Sequence, residues 1–243
     1  MKSEQELIDS LVHWIREMVV QAGARGVVVG LSGGIDSAVV AALCNRAFPG
    51  NTLGVLMPCG SSGIDEIDAV LVAEALEIPY KKVNLDETYD TMVRALGPEQ
   101  SPEEAHMAYA NIKPRLRMTA LYFEAGVRSY LVAGTGNRSE IEIGYYTKYG
   151  DGGVDMEPIG ALVKTQVRQL ATALNIPEKI IDKAPTAGLW DQQTDEEEMG
   201  FTYAQLDRYL VHGEAEADVR ERIEHLMKTS EHKRNMPPVC PLD

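Results

Sequence analysis

Short runs that are apolar on both faces, separated by stretches of helix length, constrain this chain more than any other feature. They occur at residues 26–31, 52–57, 80–85 and 129–134. A strand covered by helices on each side loses the in-out alternation of a half-exposed strand, so segments such as VVVG and LVAG predict a parallel sheet built from βαβ units. The crossover helices are expected at 37–47, 64–76, 86–96, 102–125 with a break at Pro114, and 164–174. Sheets of this kind bind ligands beyond the carboxyl ends of their strands, so functional residues should follow the strands.

The remainder of the chain frames that unit. Residues 1–21 are amphipathic, with Glu4, Glu6, Asp9, Arg16 and Glu17 interrupting the apolar positions, which predicts a surface helix and lacks the uninterrupted apolar core of a signal peptide. Residues 143–157 carry Gly144, Gly150, Gly152 and Gly153 and read as loop. Helices return at 203–211 and 215–227, before a Pro-containing tail. The acidic stretch 191–198 reads as a solvated, mobile loop. At 243 residues this is a single domain, 1–243.

Charge and cysteines narrow the function classes. A formal net charge of −14 opposes nucleic-acid binding, which depends on neutralising phosphates. No apolar run approaches membrane-spanning length, so no membrane partner is expected. Cys44, Cys59 and Cys240 form neither a disulfide framework nor a zinc spacing, which fits a reducing cytoplasm.

The first strand runs directly into Ser32-Gly33-Gly34-Ile35-Asp36-Ser37. Glycines let a ligand approach the backbone, and amides at a helix N-terminus favour an anion, so this is a phosphate cradle. A plain strand-to-helix turn would use the same glycines, but two flanking serines favour binding. No Walker A or GxGxxG spacing is present. Asp36 is the informative residue, because a carboxylate beside phosphates is repulsive unless a cation such as Mg²⁺ lies between them.

SGGIDS after a strand resembles the PP-loop of the ATP pyrophosphatases, whose members cleave ATP to AMP and pyrophosphate. Two further segments, Gly134-Thr135-Gly136-Asn137-Arg138-Ser139-Glu140 and Thr147-Lys148-Tyr149-Gly150-Asp151-Gly152, resemble the NAD synthetase family in its ammonia-dependent form. That resemblance implies a doubly wound, Rossmann-like, mostly parallel five-stranded sheet of the adenine nucleotide alpha hydrolase type, with helices on both faces and a helical C-terminal part. It implies a ligase that adenylates the nicotinate carboxylate of deamido-NAD with ATP and amidates it with ammonia, with Mg²⁺ as cofactor and a homodimeric assembly. ATP contacts fall on Gly30, Leu31, Ser32, Gly33, Gly34, Ile35, Asp36, Ser37, Thr135, Lys164 and Thr186. The metal falls on Asp36 and Glu140.

Deamido-NAD contacts fall on Arg115, Lys148, Asp155, His232 and Lys233, from the NxKAR.RM-like, TKYGDGG and EHKR segments. Asp36 and Lys164 are the expected catalytic residues, since Lys164 supplies a mobile charge that the phosphate loop lacks. Pro114 stands where the family has Ala, and Leu56 and Ser62 replace residues that some members place against ATP. The expected domain leaves no room for a glutamine amidase, so free ammonia is the nitrogen source. Another PP-loop ligase with a different acceptor, and a nucleotide-binding regulatory module without catalysis, remain the alternatives.

Overall fold

The computed structural model describes residues 3–97, 105–186, 188–190 and 194–242. Helix α1 (Glu4–Gln21) leads into β1 (Val27–Gly30), α2 (Ile35–Ala47), β2 (Thr52–Leu56), α3 (Gly63–Ala75), β3 (Tyr80–Lys82) and α4 (Asp86–Leu96). There follow α5 (His106–Ala110), α6 (Ile112–Arg128), β4 (Leu131–Ala133), α7 (Arg138–Ile143), α8 (Lys164–Ala173) and α9 (Glu178–Ile181). The chain closes with α10 (Asp195–Met199), α11 (Tyr203–His212), α12 (Ala217–Thr229) and α13 (Glu231–Arg234).

The strands form one parallel sheet in the order β3-β2-β1-β4. Alternate residues of β1 explain the two layers. Val27 and Val29 pack with α1, α2, α3 and α8, whereas Val28 packs toward α4 and α6 with Leu53, Val55 and Val132. Helix α2 is buried around most of its circumference, which explains why its sequence is almost wholly small and apolar. A third cluster, including Ile143, Met199, Leu206 and Ile223, joins α7 to the C-terminal helices.

The sheet has four strands among the described residues, not the expected five. Beyond β4 only Met156 pairs with Ala133, as an isolated parallel bridge. The Asp155 carboxylate accepts the Val132 amide at 2.8 Å, taking a donor that a fifth strand would have used, and Pro158 has no amide to extend a ladder. The third strand stops at Lys82 instead of residue 85, on an exposed edge carrying two lysines. The expected helix from 102 is split at Asn111, and its residues 102–104 lie outside the described residues. Pro114 sits in the first turn of α6, where its missing amide costs no helical hydrogen bond.

Candidate active site

Strand order reverses across β1 and β4, and a cavity of about 550 Å³ opens beyond their carboxyl ends. Gly30, Leu31, Ser32, Gly34, Ile35, Asp36 and Ser37 line its floor; Thr135 and Glu140 line one wall, with Lys164, Thr186 and Lys233 also on its surface. Gly33 turns away from the cavity onto α3, with φ at 76° and the space for a side chain filled by Asp65 and Asp68. The loop is braced by its own hydroxyls. Ser37 Oγ donates to the Gly34 carbonyl at 2.9 Å, and Ser32 Oγ lies 3.1 Å from Ser37 Oγ. The amides at the start of α2 have no side-chain cap, so they point toward a ligand position.

Asp36 and Glu140 converge on Lys164. Its Nζ lies 2.5 Å from Asp36 Oδ2 and 3.1 Å from Glu140 Oε1, on a residue only 2% exposed. Burial alone would lower the Lys164 ammonium, but the charges of Asp36 and Glu140 outweigh it and hold the group above its usual range. Glu140 is displaced upward by burial and by the neighbouring charges of Asp36 and Asp195, against the pull of Lys164. Among the described residues no group of three or more His, Cys, Asp or Glu side chains is placed to hold a metal ion.

Local structure explains the convergence. Asn137 caps α7 by accepting the Glu140 amide at 3.1 Å, while its Nδ2 donates to Asp36 Oδ1 at 2.9 Å. One residue therefore orients both acids. The N-terminus of α8, which carries Lys164, is held by Ser139 Oγ on the Lys164 amide at 3.1 Å and by Asp207 on the Thr165 amide at 2.7 Å. Ser139 in turn donates to Asp207 at 2.6 Å.

The residues expected to meet the acceptor lie apart from this centre. Lys233 is on the cavity wall and donates to the Gly144 and Tyr146 carbonyls, each at 2.7 Å. Arg115, Lys148 and His232 form a chain outside the lining, through Arg115 to the Lys148 carbonyl at 3.4 Å and Lys148 Nζ to the His232 carbonyl at 2.5 Å. Asp155 is exposed and accepts the Tyr122 hydroxyl at 3.0 Å.

Several lining residues were not anticipated. Arg117, two residues beyond Arg115, is held by the Met57 carbonyl and Ser61 Oγ, both at 3.1 Å, and faces the cavity. Lys183 lines it beside the phosphate loop, paired with Asp65 at 2.8 Å and Asp68 at 2.7 Å. The described part of the acidic stretch is a partial correction: residues 195–199 are helical and Asp195 is 4% exposed, while Glu196, Glu197 and Glu198 are exposed as expected. Its carboxylate accepts the Tyr203 hydroxyl at 2.8 Å, with the Tyr145 hydroxyl 3.2 Å from its other oxygen. Residues 191–193 lie outside the described residues.

The model of the family described as NAD synthase matches residues 7–237. A relative from Carboxydothermus hydrogenoformans, named NH(3)-dependent NAD(+) synthetase, is 53% identical over 235 residues, which are 97% of each chain. Among solved structures, NMN synthetase from Francisella tularensis superimposes with a TM-score of 0.94 at 36% identity, covering 100% of both chains. NH3-dependent NAD synthetase from Campylobacter jejuni gives 0.81 at 30%, covering 99% of this chain and 100% of the other. With this match running through the phosphate loop, the Asp36–Lys164–Glu140 centre and the C-terminal helices, the chain belongs to the NAD synthase family.

Proposed function

We propose that this chain is an ATP-dependent ligase that adenylates the nicotinate carboxylate of deamido-NAD and amidates it with ammonia, giving NAD, AMP and pyrophosphate. The observation that carries the reading is the convergence of Asp36, Glu140 and Lys164 beside a glycine loop with free helix amides. A carboxylate resists ammonia because oxide would have to leave, so activation comes first. The nicotinate oxygen forms a bond to the α-phosphorus, and the bond from that phosphorus to the bridging oxygen breaks to release pyrophosphate. Ammonia nitrogen then bonds to the carbonyl carbon, AMP leaves with the former carboxylate oxygen, and the nitrogen loses a proton.

Loop amides from Gly34 to Ser37 hold pyrophosphate, and Lys164 neutralises charge developing on its oxygens. Asp36 and Glu140 fit Mg²⁺, which takes one or two carboxylates together with phosphate oxygens. Such an ion supplies charge neutralisation at the phosphates. Thr135 and Thr186 contact ATP in this reading, while Lys233, with Arg115, Lys148, Asp155 and His232 at the rim, receives the acceptor.

A homodimer belongs to the same reading. Tyr122, Phe123 and Val127 are exposed on α6, and that face also carries Arg115 and the Tyr122–Asp155 contact. A second copy covering it would bring the rim residues to a subunit boundary. No described helix is long and apolar enough to cross a membrane, and the reduced thiols Cys44, Cys59 and Cys240 accord with a cytoplasmic location.

A second reading is favoured by the 0.94 superposition: the acceptor is the mononucleotide acid and the product NMN. One assay tests both. Protein, MgATP and ammonium are mixed with either acid, and equal amounts of AMP and amide product are measured. Product from neither acid overturns the proposal, and the ratio of kcat/KM for the two acids decides between them.

A further inference from the structure

Tyr203, the first residue of α11, reaches from the C-terminal helices to the underside of the Lys164 centre. Its hydroxyl lies 2.8 Å from Asp195 Oδ2 and 3.2 Å from Glu140 Oε1, and its ring centroid is 4.8 Å from Lys164 Nζ. The residue is 6% exposed. A phenol has one proton, so it can serve only one of the two carboxylates, and the shorter contact makes Asp195 the acceptor. By the same rule Tyr145 gives its proton to Glu198 at 2.7 Å, and its oxygen lies 3.2 Å from the other Asp195 oxygen.

This arrangement fixes the Tyr203 ring from its far end. The ring face then offers a cation–π seat to the Lys164 ammonium, while the phenol oxygen, 3.2 Å from Glu140 Oε1, limits movement of that carboxylate on its side. A flexible lysine and a glutamate on a helix of six residues gain a rigid backing in addition to the Asn137 cap. We propose that Tyr203, oriented by Asp195, is a positioning residue for adenylyl transfer, holding Lys164 and Glu140 in the geometry that meets the triphosphate. Its location also connects the centre to α10, which follows the cavity-lining strip containing Thr186. The inference rests on the ligase reading.

The test compares wild type with Tyr203→Phe, which keeps the ring, Tyr203→Leu, which removes both features, and Asp195→Asn. Turnover to amide product, KM for ATP, MgATP affinity by calorimetry and melting temperature are measured together. The expected result is a kcat about tenfold lower for Tyr203→Phe and about a hundredfold lower for Tyr203→Leu, with Asp195→Asn resembling Tyr203→Phe. KM and calorimetric affinity for ATP should change less than kcat, because the loop amides are untouched and Lys164 acts most on the charge that develops as pyrophosphate leaves. Wild-type kcat in Tyr203→Phe and Tyr203→Leu would overturn the proposal. So would losses of kcat and ATP affinity that track a fall in melting temperature, since these mark a purely structural role. Inactivity of the wild-type control toward both acids would instead refute the ligase reading itself.

Discussion

Lys164 keeps a full charge at 2% exposure only because two carboxylates face it. Lys164→Ala would leave Asp36 and Glu140 repelling each other and remove the side-chain cation that neutralises the leaving pyrophosphate. Turnover should fall by about a hundredfold or more in steady-state assay, and a near-normal rate would refute the role given to this residue. Gly33 is exacting for a different reason. Its φ of 76° and the Asp65 carbonyl, 2.6 Å from where a Cβ would stand, make Gly33→Ala both strained and crowded. That variant should lose about 1–3 kcal/mol of stability and bind ATP more weakly, as thermal melts and calorimetry would report. Both residues were legible in the sequence, because Gly33 sits in a glycine loop after a strand and Lys164 opens a helix in a recognisable segment. Asn137 lies in the same motif, but nothing in GTGN shows that its side-chain amide crosses to Asp36. Tyr203 carried no sequence signal; a tyrosine opening an amphipathic helix is an ordinary core residue until the fold places it under a lysine.

The elements that build the site are themselves short and depend on caps from elsewhere. Helix α7 has six residues, and α8 has its first amides taken by Ser139 and Asp207. The sequence showed where α8 starts, but not that an aspartate from α11 would anchor it. Another cross-element tie joins β3 to α6. Glu124, 2% exposed, pairs with Lys81 at 2.7 Å and with Arg128 at 2.5 Å. Hydrogen bonding from Lys81, helped by Arg128 and opposed by burial, holds its carboxyl below the usual value of 4.5. The unfolded chain then takes up the proton first as the solution is acidified. This contribution is complete above about pH 4.5 and disappears as pH falls through the depressed folded value. Glu124→Gln should lower stability at neutral pH by about 1–3 kcal/mol, moderated because both partners reach solvent. Its denaturation midpoint should also fall less steeply on acidification than that of wild type; equal acid slopes would remove Glu124 from the pH response.

At the scale of the whole molecule, the cavity lies where the sheet layers meet the C-terminal cluster around Ile143, Leu206 and Ile223, so neither part closes the site alone. The exposed pair Phe123 and Val127, 65% and 67% exposed, predicts a second protomer on α6. Phe123→Glu with Val127→Glu should convert a dimer to a monomer in sedimentation and raise KM for the acceptor more than for ATP. A wild-type monomer at micromolar concentration would refute that assembly. The sequence by itself determined the parallel α/β architecture, because runs apolar on both faces have few other solutions, and it marked the phosphate loop, whose function resides in consecutive backbone amides. Tertiary structure alone decided that the sheet has four strands among the described residues, that Asp195 of the acidic stretch turns inward while Glu196, Glu197 and Glu198 stay exposed, and that Arg117 and Lys183 line the cavity. Those outcomes depend on distant partners: a tyrosine hydroxyl drawing in Asp195, or a side-chain carboxylate occupying a strand amide. Local pattern records the periodicity of an element, whereas the energy of a buried polar group is set by whichever partner the fold brings within hydrogen-bond reach.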